Sequence, residues 1–402
     1  MKNKRVLVAG ASVAGNTVAW WLARYGFDVT VVERANSFRD GGQNVDVRGV
    51  ARQVLQRMGL EEAALALHTG ERGTDWVDEH DRVLARFAVA DIGAEGPTAE
   101  LEIMRGDIAR LIYEPARAHA TYRFGDYITA VAQDETGAAV TFASGQQARY
   151  DLVVVAEGVG SATRELLFPN ENRLRYLNLT LAFFDIPQQA GDSEFARQYN
   201  TVGGRGVTVK PGRDGRLHVY IGVHKPAAGE NKWSEERQKQ FIREQFAGDG
   251  WELPRILQGM AETANFYFDV FRQVRLPRWA AGRVVLTGDA AWCPTGLSGV
   301  GTSLAIAGGY VLAGELAQTD DYTAALAAYE RRMRPFVKEG QSFPRFFIRL
   351  LWPHTWLGLR LLRGAMRLAG RPALRKAFSK LYLRDSNKLA LPDYAGPAGP
   401  RA

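Results

Sequence analysis

The first hydrophobic run of the chain, Val6 to Ala9, is short and unbroken, which reads as a strand buried on both faces of a parallel sheet. A small-residue turn follows at Gly10-Ala11-Ser12-Val13-Ala14-Gly15. Gly15, Val18, Ala19 and Leu22 then recur at helical spacing up to Gly26, where a helix C-cap belongs. Val29 to Val32 form a second strand that ends at Glu33. The pattern predicts a βαβ opening. Further buried strands are predicted at Asp151 to Ala156 and Arg283 to Thr287. The latter runs through Gly288-Asp289-Ala290-Ala291 toward a small-residue helix from about Gly301 to Leu316. Between them, residues 174–275 read mainly as strands: Leu179 to Ile186, Val207 to Lys210, Leu217 to Val223 and Phe266 to Val274. Turns are expected at Gly203-Gly204 and Asp214-Gly215.

The turn after the first strand carries candidate chemistry. Gly10, Ser12 and Gly15 form a G-x-S-x-x-G fingerprint, with Ser12 where the strict motif has its middle glycine. Serine is small enough for its backbone N–H to approach a pyrophosphate, and the helix N-terminus supplies a matching partial positive charge. Glu33 lies 23 residues after Gly10. A carboxylate there accepts hydrogen bonds from both hydroxyls of an adenosine ribose and repels a phosphorylated one, so FAD or NAD fits better than NADP. Gly158-Val159-Gly160 and Gly299-Val300-Gly301 lack the third glycine and acid of a second fingerprint. One dinucleotide is therefore held by this fold. The expected fold is α/β, with a Rossmann-like cofactor domain in residues 1–70, 100–168 and 276–330. An inserted, mainly β substrate domain takes residues 71–99 and 169–275, and a C-terminal helical segment with a frayed tail, Gly396 to Ala402, takes residues 331–402.

Composition changes the picture in three ways. At 402 residues, 46% hydrophobic and 24% charged, the chain is neither disordered nor a coiled coil, and two or three domains are expected. Its one cysteine, Cys293, excludes an intrachain disulfide and favours a reducing cytosol. The net charge of +7 is uneven: Arg331 to Lys388 holds 15 Lys or Arg against Glu339 and Asp385, so the rest of the chain is acidic. A nucleic-acid-binding core is not expected. Lys2, Lys4 and Arg5 before Val6 to Ala14 imitate a secretory leader, but the fingerprint explains the same residues better. No apolar run of 18 residues predicts a membrane span, the six histidines show no metal-ligand spacing, and no Ser-His-Asp pattern or Walker loop occurs. A cytoplasmic protein with no metal is expected.

Three separated signatures together resemble the single-Rossmann FAD-dependent aromatic monooxygenases, the para-hydroxybenzoate hydroxylase-like group that includes tetracycline-inactivating monooxygenases. They are the fingerprint with Glu33, the strand Asp151 to Ala156 running into Gly158, Ser161 and Arg164, and Gly288-Asp289-Ala290-Ala291 leading to Gly299-Val300-Gly301. The resemblance implies FAD as cofactor, NADPH or NADH as electron donor, and O2. It implies hydroxylation of an aromatic or polycyclic small molecule through a flavin C4a-hydroperoxide. By the same resemblance Glu33 holds the adenosine ribose, Arg34 lies near the adenine or pyrophosphate, and Arg105 lies near the ribityl chain and pyrophosphate. Asp289 accepts from a ribityl hydroxyl, and the backbone from Gly299 through Val300, Gly301 and Thr302 to Ser303 faces the flavin pyrimidine edge. Two neighbouring functions share these motifs: oxidative inactivation of a tetracycline-like antibiotic, and an O2-independent flavin reductase acting on isoprenoid double bonds. A flavin-binding sensor without catalysis is the non-enzymatic alternative.

The departures from the family pattern mark where specificity is expected. Glu157-Gly158 replaces Asp-Gly in the middle motif, and Trp292-Cys293-Pro294 replaces the usual residues after Ala291. Catalytic residues stay unassigned, with Asp46, Arg48 and Trp292 as candidates. Asp46 and Arg48 follow Gly41-Gly42, whereas Trp292 reads equally as a substrate-stacking or a core ring, and Cys293 as a small buried filler. His218 and His224 read as structural. Phe183, Phe184, Tyr199, Tyr220, Phe266 and Phe268 of the inserted sheet are expected to wall the substrate. In the C-terminal segment, Leu357, Leu361, Ala365 and Leu368 share one helical face and Arg360, Arg363, Arg367 and Arg371 a neighbouring one. The apolar face is expected to pack over the two domains; contact with an anionic membrane or a protein partner are the other readings. Oligomeric state is left open.

Overall fold

The computed structural model describes residues 4–92, 101–213, 215–342, 345–374 and 390–394. The expected tail and Asp214 of the expected Asp214-Gly215 turn lie outside these residues. The βαβ opening forms as strand Arg5–Ala9, helix Val13–Arg24 and strand Asp28–Glu33. These strands sit in a six-stranded sheet. Its order is Ala280–Ala281, Val284–Leu286, Leu152–Val155, Arg5–Ala9, Asp28–Glu33, Thr121–Phe124, parallel except for the hairpin at its first edge. Val6, Leu7, Val8 and Val153 to Val155 are all buried, as unbroken apolar strands covered on both faces must be. Helices Val13–Arg24 and Gly301–Gln318 pack against one another over this sheet.

A seven-stranded sheet forms the second layer. It runs Phe266–Arg275, Arg173–Pro187, Arg216–His224, Arg205–Pro211, Ala196–Thr201, Gly73–Val77, Val83–Ala88, with one parallel pair, Ala196–Thr201 on Gly73–Val77. Residues 174–275 are less purely β than the strand pattern suggested. Helices Glu235–Phe246 and Leu253–Glu262 lie within them, because Phe241, Ile242 and Phe246, then Leu253, Ile256 and Met260, repeat at helical rather than strand spacing. Ser234 caps the first, its hydroxyl accepting from Arg237 N–H. These helices cover one face of the sheet over Phe184, Ile186, Val219 and Phe268. The other face, with Leu179, Leu181, Phe183 and Phe271, packs on Ile348 and Trp352 from the C-terminal segment.

That segment continues as helices Tyr322–Gln341, Arg345–Leu351 and Trp356–Ala369. The last one packs on the seven-stranded sheet, but not through the expected face. Leu359, Leu362, Met366 and Ala369 meet Trp76, Ala85 and Phe87, and Arg363 pairs with Glu79 at 2.6 Å. Leu357, Leu361, Ala365 and Leu368 point outward. The helix has two apolar stripes, and the buried one takes Met366 where the expected one has Ala365. Among the described residues no helix is long and apolar enough to cross a membrane.

Arg164, fully buried, ties the sheet's loops together. Its Nε donates to Asn172 Oδ1 at 2.9 Å, and its Nη atoms to the carbonyls of Val159 at 2.7 Å and Ala290 at 3.1 Å. Removing a buried cation that satisfies three acceptors leaves those acceptors unpaired and a cavity behind. We expect Arg164→Ala to lower unfolding free energy by about 3 kcal/mol in urea titrations of the full chain; a loss below about 1 kcal/mol would dissociate this residue from the fold's stability.

Candidate active site

The fingerprint loop sits at the carboxyl ends of the parallel strands, where an open α/β sheet binds its ligand. Gly10 has φ +105°, and a Cβ there would stand 2.5 Å from the Ala156 carbonyl oxygen; one on Gly15 would stand 1.8 Å from the Gly10 carbonyl oxygen. Both glycines are required by close backbone approach. Ser12 is tolerated because it is the extended N-cap residue, and its side chain makes no capping bond. The Glu33 carboxylate accepts from Ala11 N–H at 2.9 Å and Ala35 N–H at 2.8 Å, which fixes it at the loop's mouth with lone pairs to spare for a diol. Arg34, beside it, is exposed.

Arg105 opens helix Arg105–Ala116 beneath the loop Asp40 to Gly42. A Cβ on Gly42 would stand 2.6 Å from its Nε, and one on Gly106 would stand 1.5 Å from the Asp40 carbonyl oxygen. The Nε is buried with no hydrogen-bond acceptor. A buried cationic donor without an acceptor is costly, and an anionic group such as a pyrophosphate would satisfy it. Asp289 opens the short helix Asp289–Trp292, with its Oδ1 4.0 Å from where a side chain on Gly301 would begin. Burial pushes its carboxyl up, while the Cys293 thiol and the Arg105 guanidinium pull it down. Gly299 has φ +63°, and a Cβ there would meet Asp46 Oδ2 at 3.1 Å. Val300 and Thr302 flank Gly301 at the N-terminus of helix Gly301–Gln318. Asp46 pairs with Arg48 at 2.9 Å, and Arg48 N–H donates to Ser303 Oγ at 2.9 Å. The structure therefore gathers Glu33, Arg105 and Asp289 along one path and sets Asp46 and Arg48 at its far end.

The aromatic wall divides. Neighbouring strand residues face opposite sides, and the register pairs Phe183 with Tyr220 and Tyr267, but Phe184 with Phe266. Phe183 lies 4.9 Å from Tyr220, 5.8 Å from Tyr267 and 6.2 Å from Phe271, ring centre to ring centre. Phe271 lies against Gly296, and Leu297 packs on this cluster. The Tyr220 hydroxyl accepts from Asn44 N–H at 2.9 Å, two residues before Asp46. This face looks toward the Gly296 to Ser303 loop. Phe184, Tyr199, Phe266 and Phe268 instead belong to the core beneath the helices. Of the two readings of Trp292, the structure shows the core ring: it is buried 4.5 Å from Trp279 and 5.9 Å from Tyr329. Cys293 is buried with its Sγ 3.6 Å from the Arg272 carbonyl oxygen, and burial and Asp289 push its thiol well up. His218 bonds Asp185 at 2.6 Å and His224 bonds His354 at 2.9 Å. Glu157, where the family pattern has aspartate, accepts from Ser161 Oγ at 2.7 Å and from the Thr163 N–H and hydroxyl, capping a short helix.

Sequence reasoning missed Tyr267, Phe271 and Leu297, and also a buried charge cluster. Lys210 bridges Glu71 at 3.0 Å and Glu102, and Glu102 stands opposite Asp46 across the small sheet Asn44–Asp46/Glu102–Met104. Burial pushes the Glu102 carboxyl up to about 7, against the pull of Lys210 and with the push of Glu71. The aromatics were recoverable from strand alternation once a register was known. The cluster joins three chain segments and had no local signal.

A fingerprint sheet feeding one fixed carboxylate, an arginine with a buried, unpaired Nε and a second carboxylate, near an aromatic sheet face, describes a dinucleotide-binding site. Comparison with known proteins makes the class specific. The family described as "FAD binding domain" matches residues 3–342. A flavin-dependent monooxygenase of Legionella longbeachae serogroup 1 (strain NSW150) is 35% identical over 355 residues, 85% of this chain and 88% of that protein. An FAD-dependent monooxygenase of Sarocladium schorii is 31% identical over 98% of this chain and 99% of its own. Among solved structures, tetracycline destructase Tet(51) superimposes with a TM-score of 0.81 at 28% identity, covering 98% of this chain and all of that one. HpxO of Klebsiella pneumoniae, complexed with FAD and uric acid, shares the fold at 20% identity and a TM-score of 0.76. The chain belongs to the FAD-dependent monooxygenase family, a group A flavoprotein.

Two outcomes follow from this geometry. Asp289→Ala and Glu33→Ala should each weaken FAD retention at least about tenfold, the cost of one charged hydrogen-bond partner, measured by flavin fluorescence on dilution; unchanged affinity would displace the assigned contact. The second concerns pH. A carboxyl whose folded pKa is raised contributes stability that is complete below its usual value of 4.5 and is lost as pH rises through about 7. Glu102→Gln should therefore match the parent near about pH 4 and exceed it by roughly 3 kcal/mol near about pH 8 in urea unfolding; parallel pH profiles would show that Glu102 ionises normally.

Proposed function

We propose that this monooxygenase uses NADPH or NADH and O2 to hydroxylate an aromatic or polycyclic small molecule. The observation that carries the reading is the meeting of the cofactor loops with the aromatic face of Phe183, Tyr220, Tyr267 and Phe271. Arg105 and the fingerprint helix would hold the pyrophosphate, Glu33 the ribose, and Asp289 a ribityl hydroxyl. When bound, the flavin supplies the redox chemistry and the activation of O2. The chain's own work is positional. The N-terminus of helix Gly301–Gln318 offers partial positive charge at the pyrimidine edge, where reduction places negative charge. The aromatic face and Leu297 exclude water and hold a planar substrate over the ring. Asp46, anchored by Arg48 and Ser303, orients the Gly299 turn and is the nearest carboxylate to it.

A second reading, oxidative inactivation of a tetracycline-like compound, is favoured by the extent of the likeness to Tet(51), which takes in the C-terminal helices. Both readings are tested by NADPH oxidation in air with phenols, anthraquinones and tetracyclines as a panel. The expected result is substrate-stimulated oxidation, equimolar O2 uptake and a product one oxygen atom heavier. Turnover that continues without O2 would replace both readings with the reductase. Within the site, Tyr267→Ala and Phe271→Ala should raise KM about tenfold with FAD content unchanged, as loss of a ring contact does; unchanged KM would remove this face from the substrate site.

A further inference from the structure

Seven of the eleven large apolar side chains exposed among the described residues lie between Phe346 and Leu374. On helix Trp356–Ala369 the exposures are 60% for Trp356, 68% for Leu357, 66% for Leu361 and 50% for Leu368. These leucines fall on one side of the helix, directly opposite the packed stripe of Leu359, Leu362, Met366 and Ala369. Arg360, Arg367 and Arg371 border the leucines and are exposed, as is Arg349 on the preceding helix beside exposed Phe346 and Leu350. No Asp or Glu occurs from Arg345 to Leu374. A folded protein rarely leaves so concentrated an apolar stripe to water.

We infer that this face is a docking surface for an anionic membrane. Charge selects the occupant. A second copy meeting the face about a twofold axis sets Arg360, Arg367 and Arg371 against a second set of the same arginines. The chain's own residues 375–389 carry Arg375, Lys376, Lys380, Arg384 and Lys388 against the single acid Asp385, so they too bring like charge. A layer of anionic headgroups over an apolar interior complements both features: leucines and Trp356 enter the boundary while the arginines stay at headgroup level. The packed stripe holds the helix on the substrate sheet, so the leucine face is presented on a rigid base and pays no folding cost on docking. The helix is too short and too arginine-rich to span a bilayer, and lying in the interface plane is the geometry left to it. The consequence for function is delivery: an apolar substrate dissolved in the lipid reaches an enzyme held at that surface.

The test is flotation of the full, FAD-loaded protein with vesicles of phosphatidylcholine alone and with added phosphatidylglycerol. Binding should appear on the anionic vesicles and weaken on raising salt. Leu357→Asp with Leu361→Asp should lower partitioning at least about tenfold, and Arg360→Ala and Arg367→Ala about fivefold each. All of these side chains are exposed, and an unchanged flavin spectrum and NADPH oxidation confirm the fold of each variant. Equal flotation with neutral and anionic vesicles, or none with either, overturns the proposal. Self-association in sedimentation equilibrium that the leucine variant abolishes, without vesicle binding, overturns it in favour of a second copy.

Discussion

Two buried amides hold the active-site loop to the rest of the molecule. Gln273 Nε2 donates to the carbonyls of Pro294 at 2.8 Å and Gln341 at 2.9 Å, while Gln341 Nε2 donates to those of Val274 at 2.7 Å and Trp292 at 2.8 Å. Arg275 completes the network, donating to Gln273 Oε1 and the Gln341 carbonyl. Three elements meet there: the strand Phe266–Arg275, the loop after Asp289, and the end of helix Tyr322–Gln341. Each carbonyl in the network is buried, so losing one amide strands acceptors from two other segments. The same strand carries Tyr267 and Phe271, so the network sets the distance between the aromatic face and the loop that would touch the flavin.

Electrostatics around that loop follow from burial. Asp46, Glu71 and Glu102 share their enclosure with Arg48 and Lys210, three carboxyls to two cations. Burial pushes the Glu102 carboxyl up to about 7, against the pull of Lys210. Arg105 Nε, by contrast, is buried with no acceptor, and a phosphate oxygen would supply one. The backbone pairing of Asn44 with Met104, next to Arg105, ties the strand bearing Asp46 to the start of the helix bearing Arg105.

What was legible in the sequence was what local spacing encodes. The turn at Gly10 to Gly15 and the carboxylate at Glu33 obey a fixed offset, and the strand after Arg283 leads directly to Asp289; both lie where the motifs put them. The wall residues obey a rule that sequence states only in halves. Alternation says that Phe183 and Phe184 face opposite ways, but which one faces the cofactor depends on the pairing with Tyr220 and Tyr267 across three strands. Trp292, left by the sequence as either a stacking or a core ring, is decided by neighbours distant in the chain, Trp279 and Tyr329.

The C-terminal helix carries this ambiguity furthest. Helical periodicity offers two apolar stripes, Leu357-Leu361-Leu368 and Leu359-Leu362-Met366-Ala369, on opposite sides. The stripe bearing Ala369 is the one that packs on the strand of Ala85, and the helix end approaches so closely that a Cβ on Gly370 would stand 2.9 Å from Ala85. Arg363 then falls within reach of Glu79, and the remaining arginines are left bordering the other leucines. Packing that stripe inward thus leaves the other stripe outward with most of the charge. That division suits a surface that is apolar and anionic at once, and it suits a water-exposed helix poorly.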